Sequence, residues 1–199
     1  LRVLVARKTR DSLTESVLPT YEQEILPLTG HERMADGRIR RIRQSYTYPN
    51  GTEWIIGGLD KPTKILSTSY DIGFVNEAIE INETDWETLQ TRIGRPGRSH
   101  RLNMLLGDTN PGEAGHWLKR RLKEGKTPHW TSTHRDNPAM FQGGAWTEEG
   151  LRYLGKLQRL TGSRRARFLE GRWGVGARAW VDAFDSPPGF ELQDQIGVG

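Results

Sequence analysis

Ile72-Gly73-Phe74-Val75-Asn76-Glu77-Ala78 is the stretch that decides the fold: a short apolar run that stops abruptly in two polar residues, the second an acid. Such a run reads as a buried strand, and Thr84-Asp85-Trp86-Glu87-Thr88-Leu89 just after it opens a helix. A second unit repeats the pattern, with the strand Leu102-Asn103-Met104-Leu105-Leu106 ending in Gly107-Asp108-Thr109-Asn110-Pro111-Gly112. Upstream, the chain opens at once with another buried-strand pattern, Leu1-Arg2-Val3-Leu4-Val5-Ala6. Strands alternating with helices predict a three-layer α/β fold with a mainly parallel sheet. Ligands of such sheets sit beyond the carboxyl ends of the strands, where Asn76-Glu77 and Asp108-Thr109-Asn110 fall.

Outward from that centre, Leu13, Val17, Leu18, Tyr21, Ile25 and Leu26 recur near a 3.6 period and predict a helix over about 12–26, with Pro19 as its weak point. Residues 38–58 read as strands, and Asn50-Gly51 between two apolar runs signals a hairpin with a tight primed turn. Gly57-Gly58-Leu59-Asp60-Lys61-Pro62 breaks regular structure. A basic helix around 116–124, a strand at 129–133 and a turn at Asp136-Asn137-Pro138 follow. Thr147-Glu148-Glu149 caps a helix with Leu151, Leu154, Leu157 and Leu160 on one face, and 164–171 continues helical. From Trp173 on, Gly and Pro predict an irregular tail.

The 199 residues carry 29 Lys or Arg against 25 Asp or Glu, a net +4, with 34% hydrophobic residues, seven Trp and no Cys. Disorder is not expected across most of the chain, and disulfides, thiolate zinc sites and cysteine nucleophiles are excluded. No apolar run approaches the roughly 20 residues of a membrane span, and no signal-peptide pattern opens the chain. A mild basic excess is compatible with nucleic acid as a partner.

An apolar strand followed by a polar residue and an acid suits nucleotide hydrolysis: one side chain orients magnesium through water, and the next carboxylate polarises the attacking water. Glu77 fits the second role. Asn76 fits the first less well, because a neutral amide offers an oxygen without the charge that attracts a hard cation. The bland alternative is that an acid at a strand end caps the next turn. Asp108 to Asn110 reads either as a sensor of the γ-phosphate or as an Asx turn.

These residues also carry a resemblance. Val3-Leu4-Val5-Ala6-Arg7-Lys8-Thr9, the Asn50-Gly51 hairpin, Gly57 to Ser67, Phe74-Val75-Asn76-Glu77-Ala78 with Trp86 and Arg92, Thr109-Asn110-Pro111, His116-Trp117-Leu118, Asp136-Asn137-Pro138 and Gly171-Arg172-Trp173 stand in an order that resembles the ATPase domain of phage terminase large subunits, over residues 1 to about 185. The resemblance implies a P-loop NTPase fold of the catalytic-glutamate subclass with a β-hairpin insertion, working as an ATP-driven motor that packages double-stranded DNA into procapsids. It implies ATP and Mg2+ as cofactors. As partners it implies double-stranded DNA, the terminase small subunit, the portal protein and further copies in a homo-oligomeric ring, in the host cytoplasm and with no membrane. Carried onto this sequence, Glu77 matches the catalytic glutamate, Asn76 the metal-associated position before it, and Thr109 and Asn110 the coupling motif. Lys64 lies where a basic residue acting across subunits is expected.

The chain departs from the pattern in two places. No Gly-x-x-x-x-Gly-Lys-Ser/Thr occurs, and in the family that phosphate loop lies just upstream of the strand that opens this chain. Asn76 stands where an acid is usual. The expected organisation is an ATPase domain over 1–175 without its phosphate loop, then a linker or the start of a nuclease domain over 176–199. Alone, such a chain is expected to bind ATP weakly and not to turn it over.

Arginines at 38, 40, 41 and 43, at 92, 95, 98 and 101, and at 164, 165 and 167 read as phosphate contacts or as solvated faces. Among them the loop from Gly94 to Arg101, with Arg95, Arg98 and Arg101, is the best DNA or subunit contact. The five His lack zinc spacing, the Trp residues suit packing, and Asp182, Asp185 and Asp194 read as linker residues. Two other readings stand: a non-catalytic DNA-binding or subunit-docking module, and an ATPase fragment of a helicase or recombinase.

Overall fold

Val3, Leu4, Val5 and Ala6 are all buried, so the first strand has both faces covered, as a central strand of a parallel sheet must. The computed structural model describes residues 1–31, 45–61, 63–94 and 102–174, with only the backbone of 63 and 64. The chain forms two units, Leu1–Asn110 and Pro111–Gly199. The first holds 15 Lys or Arg and 15 Asp or Glu, the second 14 and 10, so the net +4 belongs to the second.

In the first unit, β1 (Arg2–Arg7), β2 (Ser45–Thr47), β3 (Glu53–Gly58), β4 (Ile72–Val75) and β5 (Met104–Gly107) form one sheet in the order β2-β3-β1-β4-β5. All neighbours are parallel except β2, which pairs antiparallel with β3 at one edge. The register aligns Val5 with Phe74 and Phe74 with Leu106 on one face, and Ala6 with Val75 and Val75 with Gly107 on the other. Val3, Val5 and Ile56 pack under Leu13, Leu18, Tyr21 and Leu26 of the helical segment that follows β1. The helices α4 (Thr63–Leu66) and α5 (Glu83–Gln90) supply Ile65, Trp86 and Leu89 to the core. An ideal Cβ on Gly57 would come within 4 Å of both Leu4 and Ile65, and one on Gly107 would meet Trp86, which places these two helices on the face opposite the first helical segment. The three-layer α/β expectation therefore holds.

The helix expected over 12–26 runs as α1 (Arg10–Glu15), α2 (Val17–Thr20), a wide π turn over Tyr21–Ile25, and α3 (Leu26–Leu28). It breaks at Ser16, not at Pro19. Restarting at Val17 puts Pro19 in a first turn, where its missing N–H has no partner to lose. The hairpin forms, but not with a primed turn. Pro49 fixes φ near −65°, so only Gly51 takes a positive φ, at 78°. The Gly51 N–H donates to Tyr48 O at 2.9 Å, and Asn50 Oδ1 accepts from the Thr52 N–H at 2.9 Å. The expected break at Gly57-Gly58 falls instead after Gly58, because both glycines continue the ladder beside Ala6 and Arg7. A Cβ on Gly57 would lie 2.1 Å from Ile65 Cδ1, and one on Gly58 2.5 Å from the Arg10 backbone nitrogen.

At the opposite edge from β2, β5 is exposed along most of its length. Leu102 just before it is 53% accessible, Met104 38% and Leu106 39%.

The second unit is built from α6 (Trp117–Lys123), the hairpin β6 (Phe141–Gln142) and β7 (Ala145–Trp146), α7 (Glu148–Gln158) and α8 (Gly162–Phe168). Thr147 caps α7 by accepting from the Gly150 N–H at 3.0 Å. The face of α7 that packs is Gly150, Leu154 and Leu157. Leu151, expected inside, is 54% exposed, because repeated steps of three residues drift around a 3.6-residue turn. The strand expected at 129–133 pairs with no described strand, and its Trp130 is 85% exposed.

Candidate functional site

Three neighbouring parallel strands, β1, β4 and β5, end in polar residues at the same edge of the sheet: Arg7 on β1, Asn76 and Glu77 after β4, Asp108 after β5. The Asn76 N–H donates to Ala6 O at 2.8 Å, extending the ladder one residue beyond β4. The chain then turns sharply at Glu77, whose φ of 52° and ψ of 57° are left-handed, and enters a short 3-10 turn over Ala78–Glu80. Among the described residues Glu77 is the only non-glycine with a positive φ, a conformation that costs on the order of 1–2 kcal/mol for a residue with a Cβ.

Asp108 holds that turn. Its carboxylate accepts from Asn76 Nδ2, at 3.1 Å to Oδ1 and 3.2 Å to Oδ2, and from the Glu77 N–H at 3.2 Å. Its backbone is tied to the same strand end: its N–H donates to Val75 O at 3.2 Å, and its carbonyl accepts from the Ala78 N–H at 2.8 Å. Gly107 makes this approach possible, since a Cβ there would lie 3.1 Å from both Ala78 Cβ and Trp86 Cζ3.

Arg7 braces the site from β1. Its Nε and one terminal nitrogen grip Glu80 at 3.0 and 2.8 Å, and the other terminal nitrogen donates to Ser16 Oγ at 3.2 Å. This two-pronged geometry is the strong form of the guanidinium–carboxylate pair. The bond to Glu80 raises the Arg7 pKa against the opposing effect of burial, and the charges of Glu80, Glu77 and Asp108 add to the rise. In turn the Arg7 hydrogen bond, opposed by partial burial, holds the Glu80 carboxyl below its ordinary value.

The donor set at the strand ends is all oxygen: the Asn76 amide and the Glu77 and Asp108 carboxylates. That suits a hard cation such as magnesium. Asn76 Oδ1 is buried and accepts no hydrogen bond among the described residues, so an acceptor stands ready for a water or ion. No cluster of three or more His, Cys, Asp or Glu able to hold a metal occurs among the described residues. Magnesium here would draw most of its ligands from water and phosphate oxygens, as it commonly does.

The structure thus brings Asn76 and Glu77 together with Asp108. Thr109 follows, its hydroxyl bonded to Asn110 O at 2.9 Å, and Asn110 is exposed and ends the first unit. Lys64 falls within α4, of which the described atoms there are backbone. Arg95, Arg98 and Arg101, the arginines from 38 to 43, and Asp182, Asp185 and Asp194 lie outside the described residues. Sequence reasoning passed over Arg7 and Glu80 and left Asp108 as a sensor or a turn residue. The rule that singled out Asn76, a polar residue where an apolar strand ends, applies equally to Arg7 and Asp108. Gly125-Lys126-Thr127 looks like the close of a phosphate loop, but it follows α6 instead of preceding a helix, and Lys126 pairs with Glu124 at 2.8 Å.

A family profile described as phage terminase large subunit matches residues 1–151. Among solved structures, the large terminase of a thermophilic bacteriophage superposes with a TM-score of 0.58 at 17% identity, over 87% of this chain and 41% of that one. The same protein in complex with ADP gives 0.57 at 18%, and in complex with ATP-gamma-S 0.57 at 16%, each over 87% of this chain and 40% of that one. At these identities the likeness is one of fold, and the chain spans about two fifths of these relatives' length. No curated protein matches the sequence.

Proposed function

This chain belongs to the phage terminase large subunit family, and from that premise we propose that it is part of an ATP-driven motor that packages double-stranded DNA into procapsids. The observation that carries the reading is the placement of Glu77: beyond the carboxyl end of a parallel strand in the sheet, held in a left-handed turn beside Asp108. A carboxylate fixed there at an energetic cost suits general-base work on a water attacking a γ-phosphate. The solved large terminase in complex with ADP and with ATP-gamma-S supports a nucleotide as ligand.

In this reading Glu77 polarises the attacking water, Asn76 would help hold magnesium through water, and Lys64 acts across subunits. Magnesium, when bound, would neutralise charge developing on the phosphates. Thr109 and Asn110 couple hydrolysis to movement, and their position in the chain supports this, since Asn110 is the last residue of the first unit. Arg95, Arg98 and Arg101 contact DNA or a neighbouring subunit. The partners are double-stranded DNA, the small subunit, the portal protein and further copies in a ring, at the procapsid in the host cytoplasm. Among the described residues no helix is long and apolar enough to cross a membrane.

The open, apolar edge of β5 supports one more element of the reading: a strand carrying the phosphate loop pairs there in the working protein. The 199-residue chain alone is therefore expected to be inactive. The test fuses to Leu1 a segment of a large terminase that carries the phosphate loop and measures DNA-stimulated ATP hydrolysis. Turnover that Glu77→Gln abolishes is the expected result, and turnover indifferent to Glu77→Gln would remove the motor assignment.

A further inference from the structure

The resemblance read from the sequence implies an acid at position 76, and this chain has Asn76 there with a carboxylate, Asp108, against it. We propose that Asn76 and Asp108 form one composite group: Asp108 is the positioning residue that supplies the negative charge, and Asn76 Oδ1 is the oxygen presented to a cation-bound water. This rests on the ATPase reading above and gives a role to a residue to which that reading assigns none.

The geometry fixes the roles. An ionised carboxylate only accepts hydrogen bonds, so the side of the Asn76 amide facing Asp108, at 3.1 and 3.2 Å, must be its NH2. The amide oxygen is thereby turned away from Asp108, and it is the atom that is buried with no described donor. Donation from the NH2 to a charged acceptor polarises the amide and increases the negative charge on its oxygen, which makes it a better acceptor for water held by a hard cation. The pair together carries the single negative charge that an acid at 76 would carry, displaced onto the neighbouring strand.

Asp108 is also rigidly placed. Its own N–H and carbonyl are bonded to Val75 and Ala78 on either side of the turn, and its Oδ1 takes the Glu77 N–H. One carboxylate therefore sets both the amide rotamer of Asn76 and the peptide plane that leads into Glu77. A residue that merely capped a turn would need only the backbone contact. The additional grip on the Asn76 side chain, together with the unpartnered oxygen on its far side, points to a ligand.

The test uses the 199-residue chain labelled with nitrogen-15, Mn2+ alone as the probe, and paramagnetic broadening as the readout. In the wild-type chain, rising Mn2+ should broaden the Asn76 side-chain NH2 and the Glu77 and Ala78 amides before others. Asp108→Asn should raise the midpoint by about tenfold or more, a value nearer the solvent limit than the interior limit for loss of one charge at this range. The exchanged variant, Asn76→Asp with Asp108→Asn, should restore the wild-type midpoint, because it returns the charge to the strand end. Unchanged broadening in Asp108→Asn would overturn the proposal. So would failure of the exchanged variant while its spectrum keeps native dispersion, or absence of selective broadening in the wild type. Those failures leave the ATPase reading standing, since it is decided by turnover of the extended chain.

Discussion

Replacing Glu77 by glycine and by alanine separates the strain of the site from its chemistry. Both variants lose the carboxylate, and with it whatever that group contributes through Arg7, so the difference between them reports the backbone alone. At a φ of 52° alanine keeps the clash between its Cβ and the following carbonyl, worth about 1–2 kcal/mol, whereas glycine has none. Against this, glycine gives the unfolded chain more freedom, worth about 0.4–1 kcal/mol. Glu77→Gly should then be more stable than Glu77→Ala by about 1 kcal/mol. For a unit of this size that is a midpoint difference of about 4 °C. Glu77→Asn should fall between them, because asparagine tolerates the left-handed region better than alanine does. Thermal and urea unfolding followed by far-ultraviolet circular dichroism measures all three. An alanine variant as stable as the glycine variant would refute the claim that this turn is strained.

Two further predictions concern other parts of the fold. On α7, a Cβ at Gly150 would lie 2.2 Å from the Met140 carbonyl oxygen, whereas one at Gly155 meets nothing within 4 Å. Gly150→Ala should cost about 1–3 kcal/mol, and Gly155→Ala should gain roughly 0.5–1 kcal/mol; hydrogen exchange of the helix amides reads both, and the same sign for both would sink the packing argument. The Arg7–Glu80 pair gives a pH dependence. Because the folded-state carboxyl of Glu80 sits below its ordinary 4.5, the pair's contribution is fully present above that pH and is lost as pH falls through the folded value. Glu80→Gln should therefore narrow the gap between stability at neutral and at acid pH, and a pH profile parallel to wild type would contradict the pairing.

Much of this was legible in the residues. Apolar runs ending in polar pairs located β1, β4 and β5, and the same punctuation put Asn76, Glu77 and Asp108 at carboxyl ends. What periodicity does not encode is which strands are neighbours. That β4 lies between β1 and β5 is what joins Arg7, Glu80 and Asp108 to Glu77, residues up to 101 positions apart along the chain. The left-handed turn at Glu77 was hidden for the opposite reason: local propensity argues against it, and tertiary contacts impose it. The misplaced strand at 129–133 has a similar origin, since alternating small polar and aromatic residues suit an extended chain whether or not a partner exists.

The bare edge of β5 and the uneven charge distribution together have a colloidal consequence. The unit that exposes Leu102, Met104 and Leu106 along a strand with no outer partner among the described residues is the one whose acids and bases balance, 15 against 15. Near-zero charge on this unit weakens the repulsion local to the edge, and a row of unpaired amides and carbonyls is a template for another strand. Salt would then do little to hold the first unit in solution. A single lysine placed at Leu106 would do more, by putting a charge where two copies would otherwise join sheet to sheet.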